Sequence, residues 1–182
     1  MELTGTRQIA ADRATVWAAL NDAEVLKAAI PGCQELTGDP EQGFEATVKQ
    51  KVGPVSATFQ GKVALSNIVE GRSYTIAGEG KGGAAGFAKG AADVRLDDAE
   101  GGGTLLTYDV KAHVGGKIAQ LGARLIDGFA KKMADQFFES FQKAIEGPAE
   151  EAEPAAEAVA AGAGPEGEKK AGWFRRLIGK EA

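Results

Sequence analysis

From residue 44 to residue 114 the chain alternates apolar and polar positions, and a period of two predicts strands with one dry and one wet face. Phe44, Ala46, Val48 and Val52 alternate with Glu45, Thr47, Lys49 and Lys51. After Gly53-Pro54 the rhythm returns as Val55, Ala57, Phe59, Gly61, Val63 and Leu65. Tyr74, Ile76, Gly78 and Gly80 extend the dry face, followed by Ala88, Gly90, Ala92, Val94 and Leu96, then Leu106, Tyr108, Val110, Ala112 and Val114. The expected product is an antiparallel meander of about six or seven strands. Upstream, residues 3–9 alternate weakly, and Asp12 can cap a short helix bearing Val16, Trp17 and Leu20. A second short helix over residues 23–29 must stop at Ile30, because Pro31 disfavours helical geometry in the residue before it.

After Gly115-Gly116 the period becomes helical. Ile118, Leu121, Leu125, Phe129, Met133, Phe137 and Phe141 recur every three or four residues, which predicts one helix running to Glu146, where Gly147-Pro148 stops it. About thirty residues make a rod of roughly 45 Å, and the dry face of the sheet is the cover available for its apolar stripe. The fold class expected is α+β: an antiparallel sheet wrapped around a long C-terminal helix, with two short helices after the first strand.

Small residues are frequent on the dry face: Ala46, Ala57, Gly61, Gly78, Gly80, Ala88, Gly90, Ala92 and Ala112. A close-packed interior admits two outcomes, a helix seated very near the sheet or an apolar cavity. Bulky Phe129, Met133, Phe137 and Phe141 hold the helix away and favour the cavity, hence a lipophilic ligand. Its candidate wall comprises Phe44, Val48, Phe59, Tyr74, Ile76, Val94, Tyr108 and Val110 from the sheet, with Leu121, Leu125, Phe129, Met133 and Phe137 from the helix.

The patterned part is read as one domain over residues 1–146. Residues 147–168 carry acids but no bases or aromatics, and much Ala, Gly and Pro, the composition of a solvated linker. Residues 169–182 differ again. On a helix, Trp173, Phe174, Leu177 and Ile178 share one side, with Arg175, Arg176 and Lys180 around the other and Lys169 and Lys170 upstream. Such a segment suits the surface of an anionic membrane, where each cation adds about 1 kcal/mol. Docking on the domain itself or on a protein partner is the competing reading.

Composition narrows the partners. A net charge of −5 over 182 residues gives no overall basic field for nucleic acid. The single cysteine, Cys33, excludes an intrachain disulfide and a multi-thiolate metal site, and after Pro31-Gly32 it reads as a buried small hydrophobe. The first residues lack the basic and apolar blocks of a secretory signal, and no run reaches the ~20 apolar residues of a membrane span. The expectation is a soluble or surface-attached protein.

Gly78-Glu-Gly80-Lys-Gly82-Gly83 satisfies the spacing G-x-G-x-x-G, but it lies between two strands of a meander instead of opening a helix, so it reads as a hairpin loop. His113, the only histidine, falls on the polar register and reads as a surface residue. Lys117 stands near the start of the long helix, where a cation opposes the helix dipole. A solvated loop lysine and a contact to a ligand's polar head at the pocket rim are the two readings open to it. No carboxylate pair stands out, and the reading is not an enzyme.

Several stretches together resemble the carbon monoxide dehydrogenase G-subunit family of the START-like (SRPBCC) helix-grip superfamily. They are Val16-Trp17 with Leu20-Asn-Asp22, Ile30-Pro31-Gly32-Cys33, Val52-Gly53-Pro54-Val55, Gly61-Lys62-Val63, Gly86-Phe87-Ala88-Lys89-Gly90, and Gly115-Gly116-Lys117-Ile118-Ala119-Gln120-Leu121-Gly122. The resemblance implies an accessory protein that brings a molybdenum-containing dehydrogenase to the inner face of the cytoplasmic membrane. Joined to the cavity, it implies a bound respiratory quinone, menaquinone or ubiquinone, as the expected cargo. A ligand-free recruitment adaptor, and a small lipid-binding or cyclase-like protein, are the alternatives.

Overall fold

The first residues already form an edge strand, β1 (Glu2–Ile9), which is followed by α1 (Arg13–Leu20) and α2 (Ala23–Ala29). Six strands come next: β2 (Cys33–Asp39), β3 (Gly43–Val52), β4 (Val55–Val69), β5 (Ser73–Lys81), β6 (Phe87–Asp98) and β7 (Thr104–Gly115). The last described element is α3 (Ala123–Glu146). The structure is a computed structural model that describes residues 1–146. The linker reading of residues 147–168 and the amphipathic reading of residues 169–182 lie outside the described residues.

Asp22 caps α2: its Oδ1 accepts from the Glu24 and Val25 amides at 2.8 and 3.4 Å. Asp12 holds the same position before α1, but its carboxylate takes the Thr15 hydroxyl instead of a backbone amide. Ile30 leaves α2 with ψ 118°, the extended geometry that Pro31 imposes.

All seven strands form one antiparallel sheet in the order β1-β7-β6-β5-β4-β3-β2. The expected register holds, since facing residues share a side: Val48 opposes Phe59, Leu65 opposes Ile76, and Tyr74, Val94 and Tyr108 stand in one row. Strand β2 carries no alternation that would announce it, for Leu36 is its one buried apolar residue.

The last helix differs from expectation. Lys117–Leu121 forms a separate 3₁₀ segment, and α3 begins only at Ala123. Gly116 and Gly122 cause the break, with φ of 81° and 97°, values outside the helical region. Lys117 therefore lies on the 3₁₀ segment and not at the start of the long helix.

Burial is uneven along the helix. Phe138 and Phe141, in the second half of α3, are its buried residues and pack with Ile9, Val16, Leu20, Leu96 and Leu106. Gln142 ties this half to β1 through a 3.3 Å hydrogen bond to the Gln8 carbonyl. The first half of α3 has no buried residue. One end of the grip is thus a packed core closed by α1 and α2, and the other is loosely filled.

Candidate functional site

Two apolar cavities lie between α3 and the dry face of the sheet. The first, about 290 Å³, sits at the closed end, where Leu20, Leu26, Ile30 and Leu36 join Phe44, Tyr74, Ile76, Val94, Tyr108, Phe137 and Phe138 in its wall. The second, about 390 Å³, lies under the loosely packed half of α3, between Val48, Phe59 and Val110 on the sheet and Ile126, Phe129, Ala130 and Met133 on the helix. Sizes of this order are at or near the lower limit of ligand sites, about 300–1,000 Å³.

The structure distributes the expected wall residues between the two chambers. Phe44, Tyr74, Ile76, Val94, Tyr108 and Phe137 fall in the first, and Val48, Phe59, Val110, Phe129 and Met133 in the second. Leu121 and Leu125 line neither. They lie against the β3–β4 turn, where a Cβ built on Gly53 would be 3.0 Å from Leu125 Cδ2, and Leu125 is 41% exposed. A helical stripe phased through the 3₁₀ segment has its face rotated, and this is why the two leucines miss the cavities. The true inner face adds Ile126, Ala130 and Phe138, which continue the spacing of three to four residues once the helix is started at Ala123. Met1, Leu3 of the edge strand and Gln50 also border the second cavity, and only Leu3 falls within the weak alternation of residues 3–9.

The small residues serve two different purposes. Gly61 and Gly80 oppose each other across β4 and β5, one lining each cavity, and a Cβ on either would meet only ordinary contacts at 3.7–4.0 Å. They leave open volume. Gly78 and Gly90 instead allow close backbone approach, since an added Cβ would be 2.0 Å from the Lys62 carbonyl oxygen and 2.2 Å from that of Lys111. The two outcomes weighed from the sequence therefore coexist.

Two buried tyrosines whose hydroxyls have no hydrogen bond among the described residues, Tyr108 and Tyr74, stand in the wall of the first cavity, and the less exposed of them is Tyr74. It is 6% exposed, its ring meets Trp17 edge-on at 5.5 Å, and its hydroxyl forms no hydrogen bond among the described residues. Burial alone pushes its phenol well above the usual range, so it is neutral and able to donate. A buried donor without a protein acceptor carries a desolvation cost that a ligand carbonyl would remove.

The remaining chemical candidates fall outside the cavities. His113 is exposed on the outer face opposite Lys89, its ring 6.1 Å from Phe87. Gly78 and Gly80 lie within β5, and Gly82–Gly86 makes the β5–β6 connection, so the glycine motif opens no helix. Cys33 is half-buried and not enclosed as expected, because it lies on the edge strand. Burial raises its thiol pKa, partly opposed by the Glu35 backbone and by Lys27.

A seven-stranded antiparallel sheet gripping a long helix over an apolar cavity defines the START-like helix-grip class. A START superfamily protein from Mycobacterium smegmatis shares the fold at TM-score 0.62 and 16% identity, covering 80% of this chain and 97% of that one. A conserved protein from Geobacillus kaustophilus superposes at TM-score 0.75 with 28% identity, covering 80% of this chain and 95% of the other. None of the curated proteins matches the chain in sequence. Residues 5–146 match the CoxG family, the G-subunit of carbon monoxide dehydrogenase, and the chain belongs to that family.

Proposed function

We propose that this chain is a membrane-associated accessory protein of a molybdenum-containing dehydrogenase of the carbon monoxide dehydrogenase type. It recruits the enzyme to the inner face of the cytoplasmic membrane and holds a respiratory quinone, menaquinone or ubiquinone, beneath α3. Two electrons delivered by the enzyme, with two protons, convert the quinone to its quinol, which returns to the bilayer. Family membership supports the accessory role. The observation that carries the ligand is the paired apolar chambers with two buried hydroxyl donors, Tyr74 and Tyr108, that have no hydrogen-bond partner among the described residues, in the wall of the first. A quinone is an apolar ring with two carbonyl acceptors and a long polyprenyl chain, which matches two apolar chambers, one of them with buried hydroxyl donors in its wall. The basic amphipathic segment 169–182 supports attachment to an anionic leaflet.

The test is solvent extraction of the full chain purified from its own host, with the extract identified by mass spectrometry. A quinone near one per chain is expected. Protein that carries none, and takes none from quinone-loaded vesicles, overturns the carrier role and leaves a ligand-free adaptor.

A further inference from the structure

The folded domain is electrically lopsided along the axis of its two cavities. Three segments form the end around the second cavity: residues 47–60, 80–92 and 110–126, which contribute Val48, Phe59, Gly80, Ala88, Val114 and Ile118 to its wall. Together they carry Lys49, Lys51, Lys81, Lys89, Lys111, Lys117 and Arg124 and no carboxylate. Flanking carboxylates include Glu2, Glu45, Glu79, Asp93, Asp109 and Asp127; of these, Glu79 engages Lys81 at 3.3 Å and Glu45 engages Lys62 at 3.2 Å. Lys49, Lys51, Lys89, Lys111, Lys117 and Arg124 have no carboxylate within ion-pair distance among the described residues. The closed end is opposite in kind. Asp39, Glu41, Glu70, Asp97, Asp98 and Glu100 gather in its turns and strand ends, and its arginines, Arg13, Arg72 and Arg95, are each paired with Asp97 or Asp98.

Apolar groups accompany the cations. Leu125 is 41% exposed beside Leu121 and the Gly53-Pro54 turn, and Lys51, Lys117 and Arg124 flank that knot within a few residues. Exposed leucine among uncompensated cations suits the boundary between head groups and acyl chains better than an acidic protein surface, which offers no place for the leucines.

We infer that this basic end is a second membrane-docking surface, seating the domain on an anionic bilayer with the open cavity facing the lipid. The inference rests on the membrane attachment proposed above but not on the amphipathic segment as the only contact. It gives the cavity a direction: a lipophilic cargo passes between bilayer and chamber without crossing water, while the acidic end points away from the leaflet.

The test uses the full chain and vesicles of phosphatidylcholine alone or mixed with phosphatidylglycerol. A triple reversal, Lys51→Glu, Lys117→Glu and Arg124→Glu, touches no cavity residue. Lys27→Glu, Arg72→Glu and Lys143→Glu gives the same change in net charge elsewhere. Partition onto the mixed vesicles is expected to fall about tenfold or more for the first variant, and little for the second, with loss of most of the salt dependence. On a Cys33→Ser background, a fluorophore at Pro54→Cys should be quenched by brominated lipid and one at Glu41→Cys should not.

Equal partition of the two triple variants would overturn the inference, as would quenching at position 41 instead of 54. Unchanged partition with weaker capture of the dehydrogenase would assign the end to an acidic protein and overturn it too. Trp173→Ala with Phe174→Ala separates the two contacts. If that variant loses all binding, the amphipathic segment acts alone and only the second docking surface fails; if it binds like wild type while the reversal does not, the segment's role fails and the basic end stands.

Discussion

Arg7, on the cavity-facing side of β1, forms an ion pair with Asp135 of α3, and its guanidinium lies 5.2 Å from the centre of the Phe138 ring. Lys131 donates to the same carboxylate at 3.3 Å. The pair clips the middle of the helix to the edge strand, where the packed half of α3 gives way to the loose half. Hydrogen bonding from Lys131, then from Arg7, holds the Asp135 carboxyl below its usual range, with desolvation opposing in part. A carboxyl depressed in this way stabilises the fold above its unfolded pKa of about 3.9 and loses that contribution as pH falls through the folded value. Asp135→Asn should therefore lower the melting temperature at neutral pH, and the gap to wild type should narrow progressively as pH falls below about 4, as read by thermal unfolding across the acid range.

Phe141 and Met133 sit on one helix but face different surroundings. Phe141 is fully buried in the closed core, whereas Met133 borders the second cavity and is half-buried. Phe141→Ala should cost about 3–5 kcal/mol in urea unfolding, the usual penalty for a large side chain lost from a packed core. Met133→Ala enlarges a space that is already unfilled and should cost about 1 kcal/mol or less. Comparable losses for the two would mean that the open half of the grip is as tightly packed as the closed half.

The sheet was legible because the strands from β3 to β7 keep most of their large apolar residues in alternation, so Val48, Tyr74 and Tyr108 declared their face before any pairing was known. The helix was legible in type but not in phase. Gly122 interrupts the backbone without interrupting the spacing of leucines, so Leu121 and Leu125 imitated a stripe to which they do not belong. Arg7 escaped notice because a cation on the dry register looks like a break in the pattern, and its partners, Asp135 and Phe138, are over a hundred residues away. Glycines that open a cavity and glycines that admit a backbone are identical as letters. Only the positions of the facing carbonyls distinguish Gly80 from Gly78.

That distinction yields a matched experiment. Gly61→Val and Gly80→Val place side chains in open volume on strands that favour β-branched residues, so each should alter stability by no more than about 1 kcal/mol. Both should reduce quinone uptake about tenfold or more by occupying the chambers. Gly78→Ala and Gly90→Ala push a methyl into a neighbouring carbonyl and should destabilise by about 1–3 kcal/mol. Unfolding curves and quinone titrations on the four variants read both effects; uptake untouched by both valines would place the ligand outside these chambers.

Tyr74 tests where the polar head of the ligand rests. In the free protein its hydroxyl has no hydrogen bond to lose, so Tyr74→Phe should leave stability within about 0.5 kcal/mol of wild type, or raise it slightly by removing a buried unpaired donor. If a quinone carbonyl accepts from that hydroxyl, the same change removes one hydrogen bond worth about 1 kcal/mol, and affinity should fall about fivefold. Trp17, 5.5 Å from the Tyr74 ring, supplies an intrinsic fluorescence reporter for the titration. Equal affinity for a quinone in the two proteins would take the head group off Tyr74; if Tyr108→Phe also leaves affinity unchanged, the head group lies in the second chamber, under Phe129 and Met133, and the direction of the cargo is reversed.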